Sequence, residues 1–161
     1  MTSGQQRAIQ ELQRLQAIDP NSFSIEKEPC LKKDWLVTTV SIRMGSIETA
    51  EGCLDLRERE EFVLRIPPNF PFDRPTLTVK HDRFAGFPHV TWIHTICLYR
   101  NTSDWSPRDG LYGFFDKLRA WLGKAAINKM DPIDAPLETP HYVTDFSQVP
   151  IVIRADAPVP P

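Results

Sequence analysis

An α+β domain is predicted by three observations on this chain. Apolar residues recur at helical spacing near the N-terminus, at Ile9, Leu12, Leu15 and Ile18. Runs rich in β-branched and aromatic residues then follow one another up to residue 80, and a second helical stripe comes after them at Leu111, Phe114, Phe115, Leu118, Trp121, Leu122 and Ala125. The expected order is an N-terminal helix, a four-stranded antiparallel meander, an irregular segment that carries a cysteine, and a central helix packed on the sheet. With 161 residues, 41% of them hydrophobic, the chain has enough apolar material for one core and a tail.

The first helix is expected over about residues 3–17. Ser3 and Gln6 have the spacing of a capping box, and Asp19-Pro20 ends the apolar pattern. Strand-like runs follow at Phe23-Ser24-Ile25, at Trp35 to Ile42, more weakly at Gly52 to Leu56, and at Glu61 to Ile66, with a turn at Gly45-Ser46. The last strand, Thr76 to Lys80, is separated from Ile66 by Pro67-Pro68-Asn69-Phe70-Pro71-Phe72-Asp73-Arg74-Pro75. Four prolines there forbid regular ladder bonding and stiffen a surface turn. The second helix begins just beyond Pro107. From about Asp131 the chain holds seven of the fifteen prolines and reads as extended or linker-like, with Val149 to Ile153 as a candidate edge strand. The organisation expected is therefore a catalytic domain over 1–137 and a proline-rich tail or linker over 138–161.

Composition removes several classes of function. A net charge of −2 with 25% charged residues spread evenly provides no basic field for a phosphate backbone, so no nucleic-acid partner is expected. No signal-like apolar core opens the chain and no run approaches membrane-spanning length, so a cytoplasmic protein with no membrane partner is expected. Three cysteines, Cys30, Cys53 and Cys97, are an odd number without export signals, and point to reduced thiols. Cys30 and Cys53 read as small buried hydrophobes.

Cys97 reads otherwise. It sits eight residues after His89 and eight before Trp105, in Phe87-Pro88-His89-Val90, Ile96-Cys97-Leu98 and Trp105-Ser106-Pro107. This frame puts a thiol on a short segment between two proline-containing turns, a layout that suits a nucleophile and indicates a thioester-forming enzyme.

Taken together, these motifs resemble those of the ubiquitin-conjugating enzyme family over residues 3 to about 137. Phe70-Pro71-Phe72-Asp73-Arg74-Pro75 is similar to that family's Tyr-Pro-Phe-x-x-Pro turn, Phe87-Pro88-His89-Val90 to its His-Pro-Asn-Val, Ile96-Cys97-Leu98 to its Ile-Cys-Leu, and Trp105-Ser106-Pro107 to its Trp-Ser-Pro. Both eight-residue spacings agree. The resemblance implies a ubiquitin-conjugating-type fold, with Cys97 as an acyl carrier that accepts a protein C-terminus as a thioester and passes it to an amine. No cofactor or metal is implied.

The departures from that pattern resemble bacterial members. His89 stands where the family has asparagine, credited with supporting the catalytic loop and the oxyanion; an imidazole can also donate there. Phe87 replaces the motif's histidine, Tyr99 the usual aspartate after Cys-Leu, and the proline-rich tail the two C-terminal helices. Asp131-Pro132-Ile133-Asp134-Ala135-Pro136-Leu137 is similar to the family's Asp-Pro-Leu segment, making Asp134 the candidate acidic gate; alignment on Ala135 would leave that role empty or give it to Asp104. His94, His89 and Arg100 are candidates for mild electrostatic help to Cys97. The bacterial resemblance is to the conjugating proteins and domains of CBASS antiphage operons. It implies a cGAS-like nucleotidyltransferase as cargo, a lysine or other amine as acceptor, and a ThiF-like activating enzyme, separate or fused. In the family the first helix, here with Arg7 and Arg14 on its polar face, docks the activating enzyme.

Three other readings compete. A non-catalytic interaction module of the same fold would not need Cys97 in frame with Trp105. A cysteine hydrolase would need His94 or His141 held against Cys97 by a carboxylate. A zinc site built on His81, His89, His94 and Cys97 lacks paired-ligand spacing.

Overall fold

The first helix, α1 (Ser3–Ile18), is capped one residue earlier than its sequence pattern implies. The Thr2 hydroxyl accepts the Gln5 N–H at 3.2 Å and the Gln5 side chain accepts the Thr2 N–H at 3.1 Å. The capping box is thus Thr2/Gln5 rather than Ser3/Gln6. Both pairs have the required spacing, and a distant contact distinguishes them: Thr2 Oγ1 also donates to the Pro68 carbonyl at 2.8 Å. The structure, a computed structural model, describes residues 1–45, 47–99 and 102–130. The expected boundary at 137, the tail 138–161 and the candidate strand at Val149 to Ile153 lie outside them; Met1–Met130 forms one unit.

The buried face of α1 is Gln5, Ala8, Glu11 and Leu12, rotated from the apolar stripe, and Ile18 is exposed. Two polar residues enter the interior because each has partners there. Gln5 Nε2 donates to the Asp34 carbonyl at 2.8 Å, and Glu11 is engaged as described below. Gly4 lies against the proline turn so closely that a Cβ on it would fall 1.7 Å from the Phe70 carbonyl oxygen.

Four strands form one antiparallel sheet in chain order: β1 (Phe23–Lys32), β2 (Trp35–Arg43), β3 (Arg59–Ile66) and β4 (Thr76–Thr78). β1 runs well past the Phe23-Ser24-Ile25 core that its composition marks. Register shifts between Ile25 and Lys27 and between Lys27 and Cys30 each put an extra residue on β1, and Pro29 sits inside the second. On an edge strand such a bulge tolerates a residue without an N–H. The two-residue turn Lys33-Asp34, with Lys33 at φ 55°, joins β1 to β2. The distal half of β1 projects beyond the core, so Cys30 is exposed rather than buried, and Cys53 is only half-buried. β4 ends at Thr78, short of the expected Lys80.

The segment Gly52 to Leu56, expected as a weak strand, is not one. It lies in the long connection from Met44 to Glu58 and docks on the second helix, α2 (Gly110–Ala126). Ala50 N–H donates to the Ala126 carbonyl at 2.9 Å and Leu54 N–H to the Ala125 carbonyl at 3.2 Å. These bonds satisfy carbonyls that the end of a helix leaves without partners. The turn expected at Gly45 is present, closed by Ile47 N–H on the Met44 carbonyl, but it opens this connection rather than a hairpin.

The core lies between one sheet face and the helices. On β3 the even-numbered residues Phe62, Leu64 and Ile66 point inward with Leu36 and Val40 of β2 and Leu77 of β4. Leu111, Phe114, Leu118 and Leu122 of α2 meet them, as the helical stripe predicts. Phe23 and Phe115 join β1 to α2 edge-to-face at 5.0 Å.

The start of α2 is capped from α1. Asp109 makes no side-chain cap, and instead Glu11 Oε2 accepts the Leu111 N–H at 2.7 Å, from 100 residues away in sequence. Its other oxygen pairs with Arg7 Nε at 2.6 Å. Gly110, at φ 54°, lets the backbone approach, since a Cβ there would lie 2.7 Å from Glu11 Oε2. A second buried carboxylate, Glu60, takes both guanidinium arms of Arg83 at 2.8 and 2.7 Å and the Arg57 N–H at 2.6 Å. No helix among the described residues is long and apolar enough to cross a membrane.

Candidate functional site

The segment around Cys97, expected to be irregular, contains a small hairpin that accounts for the eight-residue spacing. Phe87-Pro88-His89-Val90 closes a turn, with Val90 N–H on the Phe87 carbonyl at 3.1 Å and His89 at φ 63°. Proline at the second position and a left-handed residue at the third is the type II pattern, and asparagine and histidine are among the non-glycine residues that enter that region most readily. The chain then reverses through Trp92-Ile93-His94. Thr91 N–H bonds the Thr95 carbonyl at 2.9 Å, His94 N–H bonds the Thr91 carbonyl at 2.8 Å, and His94 itself sits at φ 61°. A three-residue loop ending in a left-handed residue is a common hairpin closure.

In this register Val90 pairs with Ile96, so His89 falls opposite Cys97, whose N–H donates to the His89 carbonyl at 2.7 Å. The outer arm continues the main sheet: Thr95 bridges Thr78, and Ile96 N–H donates to the Leu77 carbonyl at 2.9 Å. Cys97 is therefore placed by backbone bonds on a sheet extension, and it is exposed. Protein packed on its inner side desolvates the thiolate, which pushes its pKa above the ordinary thiol range; the Arg74 charge pulls it back in part.

The segment after the cysteine enters an aromatic layer. Trp105 is buried and its indole N–H donates to the Pro71 carbonyl at 2.7 Å, tying the segment after Cys97 to the proline turn. Tyr99 is edge-on to Trp105 at 5.5 Å and stacked with Phe114 of α2 at 6.3 Å. Burial first, and then the charge of Asp109, push the Tyr99 phenol up to about 12, against the pull of Arg74, so it stays neutral near pH 7. Two cations lie over its ring, Lys117 Nζ at 4.1 Å and the Arg74 guanidinium at 5.8 Å.

The expected site residues thus separate. Cys97 and His89 are brought together by the hairpin. Asp134 lies outside the described residues, as do Arg100 and His141; Asp104 is exposed in a short helical turn after the cysteine segment. His94, a candidate for mild help to Cys97, sits at φ 61° at the loop end and faces Asp82, Nε2 to Oδ1 3.4 Å. His81 joins the Glu60 network at 3.4 Å. Among the described residues no three His, Cys, Asp or Glu side chains converge as metal ligands. Arg74, whose charge among the described residues lowers the Cys97 thiol pKa, was missed: it lies 23 positions upstream, and only the closure of the proline turn on Tyr99 reveals it.

A helix, a four-strand meander, a hairpin presenting one thiol and a second helix on the sheet define an α+β protein of the ubiquitin-conjugating type. A model of the prokaryotic E2 family A matches residues 6–150, and the chain belongs to that family. Its general role is that of a bacterial conjugating enzyme.

Proposed function

We propose that Cys97 carries a protein C-terminus as a thioester and delivers it to an amine, in CBASS antiphage defence, with a cGAS-like nucleotidyltransferase as cargo. The observation that carries this reading is the hairpin register, which fixes an exposed thiol opposite His89 on a segment braced by Trp105 and the proline turn.

The chemistry balances in two steps. The Cys97 thiolate, its proton already lost to solvent, attacks the carbonyl of a thioester on a ThiF-like activating enzyme. A new C–S bond forms, the old one breaks, and the departing thiolate takes up a proton; like replaces like at little cost. A lysine or other amine then attacks the carbonyl, a C–N bond replaces the C–S bond, and Cys97 leaves as thiolate. The amine proton passes to a base, for which we assign Asp134. His89 donates to the carbonyl oxygen as it gains negative charge. Burial leaves less of the Cys97 thiol ionised near neutral pH, in return for a more nucleophilic thiolate, and the Arg74 charge offsets part of that loss.

The test is co-expression of the wild type and Cys97→Ala with such a nucleotidyltransferase and activating enzyme, followed by intact-mass analysis with and without reductant. A reductant-labile polypeptide on the wild type alone is expected, and Cys97→Ser should hold a more stable ester or none. No adduct on either form, with all partners folded, would leave the interaction-module reading.

A further inference from the structure

We propose that Arg74 is a positioning residue for acyl transfer, holding a fixed positive charge on the Cys97 segment through its attachment to Tyr99, two residues past the nucleophile. This rests on the reading of Cys97 as the acyl carrier.

Three contacts and the backbone form a closed circuit. The Pro71 carbonyl of the proline turn holds the Trp105 indole at 2.7 Å, Trp105 packs edge-on to Tyr99 at 5.5 Å, and Arg74 Nη1 donates to the Tyr99 carbonyl at 3.3 Å. Arg74 is three residues beyond Pro71 in the same turn and is followed by Pro75, so the circuit closes on its own backbone. Tyr99 is only two residues past the nucleophile. A long, flexible cation is thereby held against the Cys97 segment before any partner arrives, which lowers the reorganisation needed when charge develops. Lys117 adds a second cation at the same ring, while Asp109 is the acidic group that bears on it, and the neutral phenol does not cancel the field. Negative charge sits on the Cys97 sulfur before attack and again when the amine expels it, so one fixed cation serves both steps.

The experiment uses the full chain with Cys30→Ser and Cys53→Ser, leaving Cys97 as the one thiol. Its alkylation rate by iodoacetamide is followed by intact mass between about pH 6 and 10, bracketing an ordinary thiol. Arg74→Gln should move the midpoint up by roughly half a unit and slow alkylation near neutral pH about twofold, allowing for exposure and for the greater nucleophilicity of the more basic thiolate. Arg74→Lys should recover most of the loss, and roughly 1 M salt should narrow the gap between wild type and Arg74→Gln. Coincident profiles for folded wild type and Arg74→Gln would overturn the assignment. So would an equal loss in Arg74→Lys, since that would reduce Arg74 to a tie on the Tyr99 carbonyl. The two readings fail separately. A shifted midpoint with no cargo loaded on the wild type would leave the charge assignment standing without the acyl carrier, and normal loading with an unshifted midpoint would do the reverse.

Discussion

Removing the Glu11 carboxylate is expected to loosen α2 from a distance. Its Oε2 accepts the Leu111 N–H at 2.7 Å, where a helix leaves its first N–H groups unpartnered and its dipole favours a negative charge. Glu11 is almost fully buried, so in Glu11→Ala no water readily replaces it. A hydrogen bond to a charged group contributes about 1.5–3 kcal/mol, and an orphaned buried N–H costs a similar amount; these overlap, giving a loss of about 3 kcal/mol. The Arg7 pair adds little, since that guanidinium is half exposed. Glu11→Gln keeps an oxygen acceptor and forfeits the charge, for about 1 kcal/mol. In urea titrations the midpoint should fall for both, in that order, with unchanged slope. Hydrogen exchange at the Leu111 amide should accelerate in Glu11→Ala before global unfolding. If both variants stay within about 0.5 kcal/mol of wild type with Leu111 still protected, the cross-helix cap contributes nothing and the reasoning fails.

Three further outcomes follow from the same structure. Gly4→Ala drives a methyl into the Phe70 carbonyl, which must separate α1 from the proline turn; a thermal melt should show a loss of at least about 2 kcal/mol, and wild-type stability would mean that the close approach is not needed. His89→Gly preserves the left-handed turn but removes the imidazole, and should slow acyl transfer about a hundredfold, roughly 2.7 kcal/mol, whereas His89→Asn should stay within about tenfold of wild type; equal rates in all three would remove the oxyanion role. Burial raises the Glu60 pKa, but the Arg83 fork and the Arg57 N–H outweigh it, leaving the carboxyl below its ordinary value. Its stabilisation is therefore present above the unfolded-state pKa and lost as pH falls through the depressed folded value. Glu60→Gln should flatten that acid limb of the stability curve and lower stability at pH 7; an unchanged limb would place the acid sensitivity elsewhere.

Much of the architecture was legible because periodicity reports burial. The α2 stripe from Leu111 to Ala125 packs as read, and the runs at 35–42 and 61–66 are the central strands because β-branched residues fill a pleated interior. The cysteine frame was legible too, since the short hairpin that sets His89 opposite Cys97 fixes their spacing at eight. What failed was wherever an apolar pattern is not what sets the outcome. β1 extends through a polar, proline-containing stretch because its partner strand supplies hydrogen bonds, while Gly52 to Leu56 looks strand-like and instead serves the end of α2.

The chain's own order of residues thus determined a helix, a meander and a thiol framed by two turns, because each depends on neighbours a few positions apart. Tertiary structure alone decided that Glu11 caps a helix 100 residues away, that His94 faces Asp82, and that Arg74 reaches the Tyr99 carbonyl two residues past the nucleophile. Those are encounters between single polar groups, which leave no period in the sequence and exist only once the hydrophobic core has brought their backbones together.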